Sequence, residues 1–205
     1  MTRIIGGEAG GRRLQTPSGD ATRPTSDRVR EALFSALEAE LGSLHGLRFL
    51  DLYAGSGAVG LEAGSRGAVA VTAVESDRRT ARLVEANARA VGLAVEVRAQ
   101  PVASVLAAGP VSPYDVVFAD PPYPMPDDEV VAALAALVVH GWVNPGGAVV
   151  VERSARSVEP TWPDGLVLRR RKKYGETVLW YLRRHPQGRT DAADTFGDDG
   201  VPVEA

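Results

Sequence analysis

The chain contains no cysteine, which excludes a disulfide framework, a thiolate metal site and a cysteine nucleophile. Its three histidines, His45, His140 and His185, lie far apart in sequence, so metal catalysis and a bound metal are not expected. No apolar run approaches the roughly 20 residues that cross a bilayer. The opening "MTRIIGGEAGG" also lacks the apolar segment of a secretory signal. A cytoplasmic protein with no membrane partner is expected. What the chain does have is 205 residues, 44% of them hydrophobic, enough for one domain with a real core. A monomer is the expectation.

The formal net charge of −3 hides an uneven distribution. From Pro186 onward Asp191, Asp194, Asp198, Asp199 and Glu204 face the single base Arg189, which leaves the rest of the chain at +1. Residues 1–30 carry six arginines against Glu8, Asp20 and Asp27. The stretch 185–205 is rich in Gly, Pro and Asp without apolar periodicity and reads as a disordered acidic tail. The division expected is a basic N-terminal segment over 1–25, a globular domain over 26–184 and that tail.

Within the globular part, strand and helix signals alternate. Strands are predicted at 47–55, 68–76, 93–99, 114–120 and 147–153. "SGAVGLEAGSRG" reads as a short packed helix. "DRRTARLVEANARAVG" puts Ala81, Val84, Ala88 and Val91 on one helical face, with Gly92 placed to end it. A further helix is predicted over "DDEVVAALAALVVHG". Upstream, Ser26 is placed to cap a helix whose Val29, Leu33, Leu37 and Leu41 should pack on the sheet. Strands separated by helices imply a mostly parallel sheet covered on both faces. "GLVLRRRKKYGETVLWYLRR" has two strand-like runs around a polar turn, so an antiparallel hairpin is expected at one edge, making seven strands.

The first strand runs into "DLYAGSGAVG", whose Gly55, Gly57 and Gly60 match the glycine-rich turn of nucleotide-binding α/β folds. Glu75 follows 20 residues after Gly55, where a carboxylate can accept both hydroxyls of a ribose. NAD and S-adenosylmethionine each bring a ribose and adenine to such a site. Asp51 favours the second, because a carboxylate suits the cationic amino group of a methionine moiety and would repel a pyrophosphate.

"DVVFADPPYP" (115–124) is a buried strand that ends in an acid, two prolines and a tyrosine. In a doubly wound sheet this strand and the first lie side by side at the switch point, so both loops should share one cleft. An aromatic amine is a poor nucleophile, since its lone pair is delocalised, and must be oriented to react. Asp120 and the Pro121 carbonyl can each accept one N–H, the prolines fix the turn, and Tyr123 can stack on a planar base.

These motifs, together with "RIIGGEAGGRRL" and "RPTSDRVREALF" upstream, resemble the bacterial 16S rRNA guanine-N2 methyltransferases of the RsmD type. The resemblance runs from residue 3 to about 182. It implies a Rossmann-like class I methyltransferase fold, S-adenosylmethionine as cofactor, and one guanine of 16S rRNA in the small ribosomal subunit as target. The expected cofactor set is Asp51, Ala54, Gly55, Ser56, Gly57, Glu75, Ser76 and Gln100. Gln100 stands where many methyltransferases carry an acid, and an amide can also bond an adenine edge. Asp120, Pro121, Pro122 and Tyr123 would hold the base. Arg12, Arg13, Arg23, Arg28 and Arg30 are expected to contact RNA phosphates.

The residues alone leave other readings open. A DNA adenine-N6 methyltransferase would use the same corner, but the chain has no length to spare for a DNA-recognition domain. A protein-glutamine methyltransferase usually has Asn in place of Asp120. A catalytically silent RNA-binding or assembly factor would not need the acid, prolines and tyrosine. An NAD-dependent oxidoreductase would need a proton-transfer pair that is not evident.

Overall fold

Apolar runs of period 2 and helices with one apolar face assemble into a three-layer α/β fold. The computed structural model describes residues 2–17, 26–122 and 124–186. The expectations for Arg23, for Tyr123 and for all but the first two residues of the acidic tail lie outside them. The chain begins with β1 (Thr2–Arg3), β2 (Arg13–Leu14), α1 (Asp27–Leu41), β3 (Arg48–Leu52), α2 (Ala58–Ser65) and β4 (Ala70–Val74). It continues with α3 (Arg78–Val91), β5 (Glu96–Arg98), α4 (Val102–Ala108), β6 (Tyr114–Ala119) and α5 (Asp127–Val139). The last elements are β7 (Val143–Ser154), β8 (Leu166–Tyr174) and β9 (Thr177–Arg184).

Seven strands form one sheet in the order β5-β4-β3-β6-β7-β9-β8. β3 to β7 are parallel, and β9 turns the sheet antiparallel by pairing with both β7 and β8. Each face is covered. Leu33, Phe34 and Leu37 of α1 pack with Phe49, Val116, Phe118 and Val150 on one side. On the other, Leu106 of α4 and Leu134 and Leu137 of α5 pack with Leu50, Val117, Val149 and Trp180. Each fully buried side chain of this size contributes about 1.5–3 kcal/mol. Ser26 caps α1 by accepting from Val29 N, and Gly92 ends α3 at φ +72°, a left-handed cap that glycine adopts without strain.

Three elements were not predicted. α4 has seven residues and no side-chain cap, too short for a periodic signal. β1 and β2 pair over two residues each. Their small sheet is docked onto α2: Glu62 accepts from Ile5 N at 2.7 Å and Gly6 N at 2.8 Å, and Ser65 Oγ accepts from Ala9 N at 2.9 Å. The start of the chain is thus bound to the helix that follows the glycine-rich turn, with Ile4, Ala9 and Leu14 in a small core with Leu61, Ala88 and Val91.

Candidate active site

β3 and β6 are adjacent and parallel, with Asp51 opposite Phe118 and Leu52 opposite Ala119. The loops that leave their C-terminal ends therefore open on the same side. Between them and α4, α5 and the end of β7 lies a cleft of about 1300 Å³. That exceeds the roughly 300–1,000 Å³ of a pocket for one small molecule. There is room for a nucleoside-like cofactor and a target base together.

One half of the cleft is built by the turn after β3. Asp51 is 1% exposed, lines the cleft and accepts from Gly60 N at 2.8 Å. Burial pushes its carboxyl up to about 7; the charge of Glu75 adds to the rise, and the Gly60 N–H opposes it. A buried acid with this titration gains from a cationic partner, which would hold it ionised. Tyr53 follows at φ +61°, the one non-glycine residue with positive φ among those described. Such a backbone costs about 1–3 kcal/mol and marks sites where geometry is imposed. Burial lifts its hydroxyl to about 12.

Ala54, Gly55, Ser56, Glu75 and Ser76 all line the cleft. Glu75 accepts from Gly55 N at 3.0 Å and Asp77 N at 2.9 Å, which fixes its carboxylate beside the turn. Gly57 has a different position: it lies outside the lining, at φ +78°, where an added Cβ would meet Val84 Cγ1 at 2.7 Å. It allows α2 to start against α3. Gln100 is also placed outside the lining. Its side chain is exposed and off the cleft, and Pro101, Val102, Ala103 and Leu106 supply an apolar wall instead, because α4 begins directly after it. A carboxylate for a ribose, a buried acid for a cation and an apolar wall for a planar base form a donor set that fits S-adenosylmethionine.

The other half is the corner after β6. Asp120, Pro121 and Pro122 line the cleft, and Asp120 N donates to Leu52 O of β3 at 3.4 Å, which ties the two loops together. Met125 N donates to Pro122 O at 2.9 Å and closes the turn. Arg153, at the end of β7, donates to Asp127 Oδ1 at 2.6 Å and to Met125 O at 3.5 Å, and so holds the far end of the same loop. Sequence reasoning missed Tyr53 and Arg153: Tyr53 lies within the glycine-rich motif, but its left-handed backbone leaves no mark in the sequence, and Arg153 belongs to no local motif and acquires its place only when strands pair.

The arginines are divided by the fold. Arg28 is exposed and lines the cleft, and Arg13 is exposed. Arg12 donates to Val91 O at 2.7 Å. Arg30 is fully buried, bonded to Asp27 at 3.0 Å and to Arg3 O, with Glu62 at 4.0 Å, so it is withdrawn from any phosphate contact. Burial lowers its pKa, with Asp27 and Glu62 opposing. It anchors α1 and the small sheet to α2. No group of three or more metal-ligating side chains occurs among the described residues, and none of their helices is long and apolar enough to cross a membrane.

Residues 2–183 match the family model described as Conserved hypothetical protein 95. Over 192 residues, 93% of each chain, the protein is 35% identical to the Escherichia coli K12 protein named ribosomal RNA small subunit methyltransferase D. The chain belongs to this RsmD family of methyltransferases. Among solved structures, Escherichia coli yhhF superposes with a TM-score of 0.78 at 34% identity, covering 90% of this chain and 98% of that one. Synechocystis magnesium protoporphyrin IX methyltransferase, solved with bound SAM, shares the fold alone: TM-score 0.61 at 16% identity, covering 77% of this chain and 78% of that one. The family's Rossmann-like sheet with its antiparallel C-terminal pair is the architecture described above.

Proposed function

We propose that this protein transfers the methyl group of S-adenosylmethionine to the exocyclic N2 amine of a guanine in 16S rRNA of the small ribosomal subunit. The observation that carries the reading is that Gly55 and Glu75 at one end, and Asp120 and Pro121 at the other, line a single cleft at the ends of neighbouring parallel strands. The name of the 35% identical Escherichia coli relative supports an rRNA substrate. In this reading the protein works in the cytoplasm, where small subunits assemble.

Asp51 would take the cationic amino end of the cofactor, Glu75 its ribose, and Val102, Ala103 and Leu106 its adenine. The bound sulfonium supplies the reactive methyl group. Asp120 and the Pro121 carbonyl orient the target amine by accepting one N–H each, which points the remaining lone-pair lobe at the methyl carbon. Asp120 would also take the proton the nitrogen loses as the new N–C bond forms and the methyl–sulfur bond breaks, leaving the cofactor as a neutral thioether. Catalysis is mainly positioning. Tyr123 would stack on the base.

The test is methyl transfer from labelled S-adenosylmethionine to small subunits from a strain lacking the gene, with naked rRNA and duplex DNA alongside and nucleoside analysis after digestion. Label recovered as N2-methylguanosine is expected. Label on adenine in DNA would replace this reading with the DNA enzyme. Bound cofactor with no label anywhere would point to a silent assembly factor.

A further inference from the structure

β8 is the outermost strand of the sheet and carries five consecutive bases, Arg169, Arg170, Arg171, Lys172 and Lys173. All five are exposed, and none forms an ion pair among the described residues. Elsewhere exposed arginines do find acids, as Arg156 finds Glu176 at 3.4 Å and Arg3 finds Asp27 at 3.7 Å. Among the described residues the run is therefore a concentration of positive charge without an acidic partner, on a chain whose net charge is negative.

Its direction matters as much as its sign. β8 and β7 both run antiparallel to β9, so β8 climbs toward the side of the sheet on which β6 ends in Asp120. Thr177 pairs with Tyr174 on one side and Ser154 on the other, which sets the end of the basic run beside the end of β7. Lys173 and Tyr174 then form part of the cleft wall. At about 3.3 Å per residue the five bases make a strip roughly 13 Å long that leads into the cleft.

Two of the guanidinium groups are fixed in place. Arg171 lies over the Trp180 ring at 5.0 Å and Arg170 over the Tyr181 ring at 5.7 Å. Because neighbouring residues of a strand face opposite sides, Arg171 and Lys173 share the Trp180 face, and Arg170 and Lys172 share the Tyr181 face. The edge thus presents cations to both sides of a strand of polyanion laid along it.

We infer that the outer edge of β8 is a phosphate-docking strip for the RNA backbone flanking the target nucleotide, with Arg171 and Lys173 leading it to the cleft. This rests on the reading of RNA as substrate and adds where the RNA is held. Charges on an edge strand also prevent pairing with another sheet, a role that does not require the run to end at a cleft.

The variant Arg171→Gln/Lys172→Gln/Lys173→Gln is compared with Arg171→Lys/Lys173→Arg and the parent protein. Binding of a 16S rRNA transcript and of small subunits is measured across a salt series, with thermal melting and S-adenosylmethionine binding to verify folding. The glutamine variant should lose affinity about tenfold or more near 0.1 M salt, and its log K against log salt slope should shrink by about 2, near 0.7 per phosphate contact on single strands. The charge-conserving variant should keep both. Unchanged affinity and slope in a folded glutamine variant would overturn the proposal. So would retained affinity accompanied by self-association, which would assign the charges to guarding the edge. A parent protein that binds neither RNA overturns this inference and the proposed function together. A parent that binds through the strip but places no methyl on guanine overturns the proposed function alone.

Discussion

Asn87 donates from Nδ2 to the Ser56 carbonyl at 3.0 Å, and so joins the middle of α3 to the glycine-rich turn. The same amide brackets Gln15, accepting from its N–H at 2.9 Å and donating to its carbonyl at 2.9 Å. Asn87 is 1% exposed, and its bond to Ser56 is buried, while the two to Gln15 are partly buried. The small N-terminal sheet and the turn that lines the cleft therefore share one side chain.

Replacing Asn87 by Asp keeps the acceptor for Gln15 N but sets a carboxylate oxygen against two carbonyls. The expected result is a stability loss of about 1–3 kcal/mol, the cost of buried polar groups left unpaired, together with weaker cofactor binding. Thermal melting and calorimetric titration check the two effects. A loss of stability with unchanged cofactor affinity would show that Asn87 holds the N-terminal sheet without shaping the turn.

Asp51 gives a pH-dependent prediction. Its folded pKa of about 7 lies above that of an unfolded carboxyl. The protonated group thus contributes stability that is complete below the unfolded value and is lost as pH rises through about 7. Asp51→Asn keeps an acceptor for Gly60 N without a charge. Without cofactor, the melting temperature of the parent should fall relative to that of Asp51→Asn between pH 5 and pH 8, while the variant should bind S-adenosylmethionine poorly at both. A difference in melting temperature that does not vary with pH would contradict the buried titration.

If Asp120 orients the amine and accepts its proton as proposed, Asp120→Ala should remove most methyl transfer, on the order of 100-fold or more. Cofactor affinity should be spared, because Asp51 and Glu75 are untouched. Single-turnover rates and equilibrium binding separate the two, and unchanged turnover would remove Asp120 from its assigned role.

Gly57→Ala should cost more than a typical surface change. The left-handed backbone and the 2.7 Å approach to Val84 Cγ1 act together, and Val84 itself is fully buried. A loss of about 1–3 kcal/mol in urea unfolding is expected, in the range of overpacked sites. Pairing it with Val84→Ala should recover part of the loss; no recovery would assign the cost to the backbone alone.

How much of this was legible in the sequence depends on how local the determinants are. The seven strands of the main sheet and four of its five helices follow from periodicity and caps, as with Ser26, Gly92 and the apolar face of α3. α4 was not legible because seven residues after Pro101 carry no cap and no repeated turn. Within the site, Gly55, Glu75 and Asp120 belong to contiguous motifs and could be read directly. Arg153 and Asn87 could not, since their importance comes from partners 26 and 72 residues away; Tyr53 sits inside the motif, but its left-handed backbone shows only in the fold. Arg30 shows the opposite error: charge alone suggested a surface role, and the acids Asp27 and Glu62 draw it into the interior.

β9 ends at Arg184, which bonds to the Val143 carbonyl where β7 begins. That is the side of the sheet away from Asp120. A fluorophore or a surface tether joined after His185 would therefore leave from beneath the sheet, with the cleft facing outward. An immobilised preparation made this way would present the cleft to a substrate as large as the proposed ribosomal subunit, whereas attachment in the β8–β9 turn at Gly175 would stand in its path.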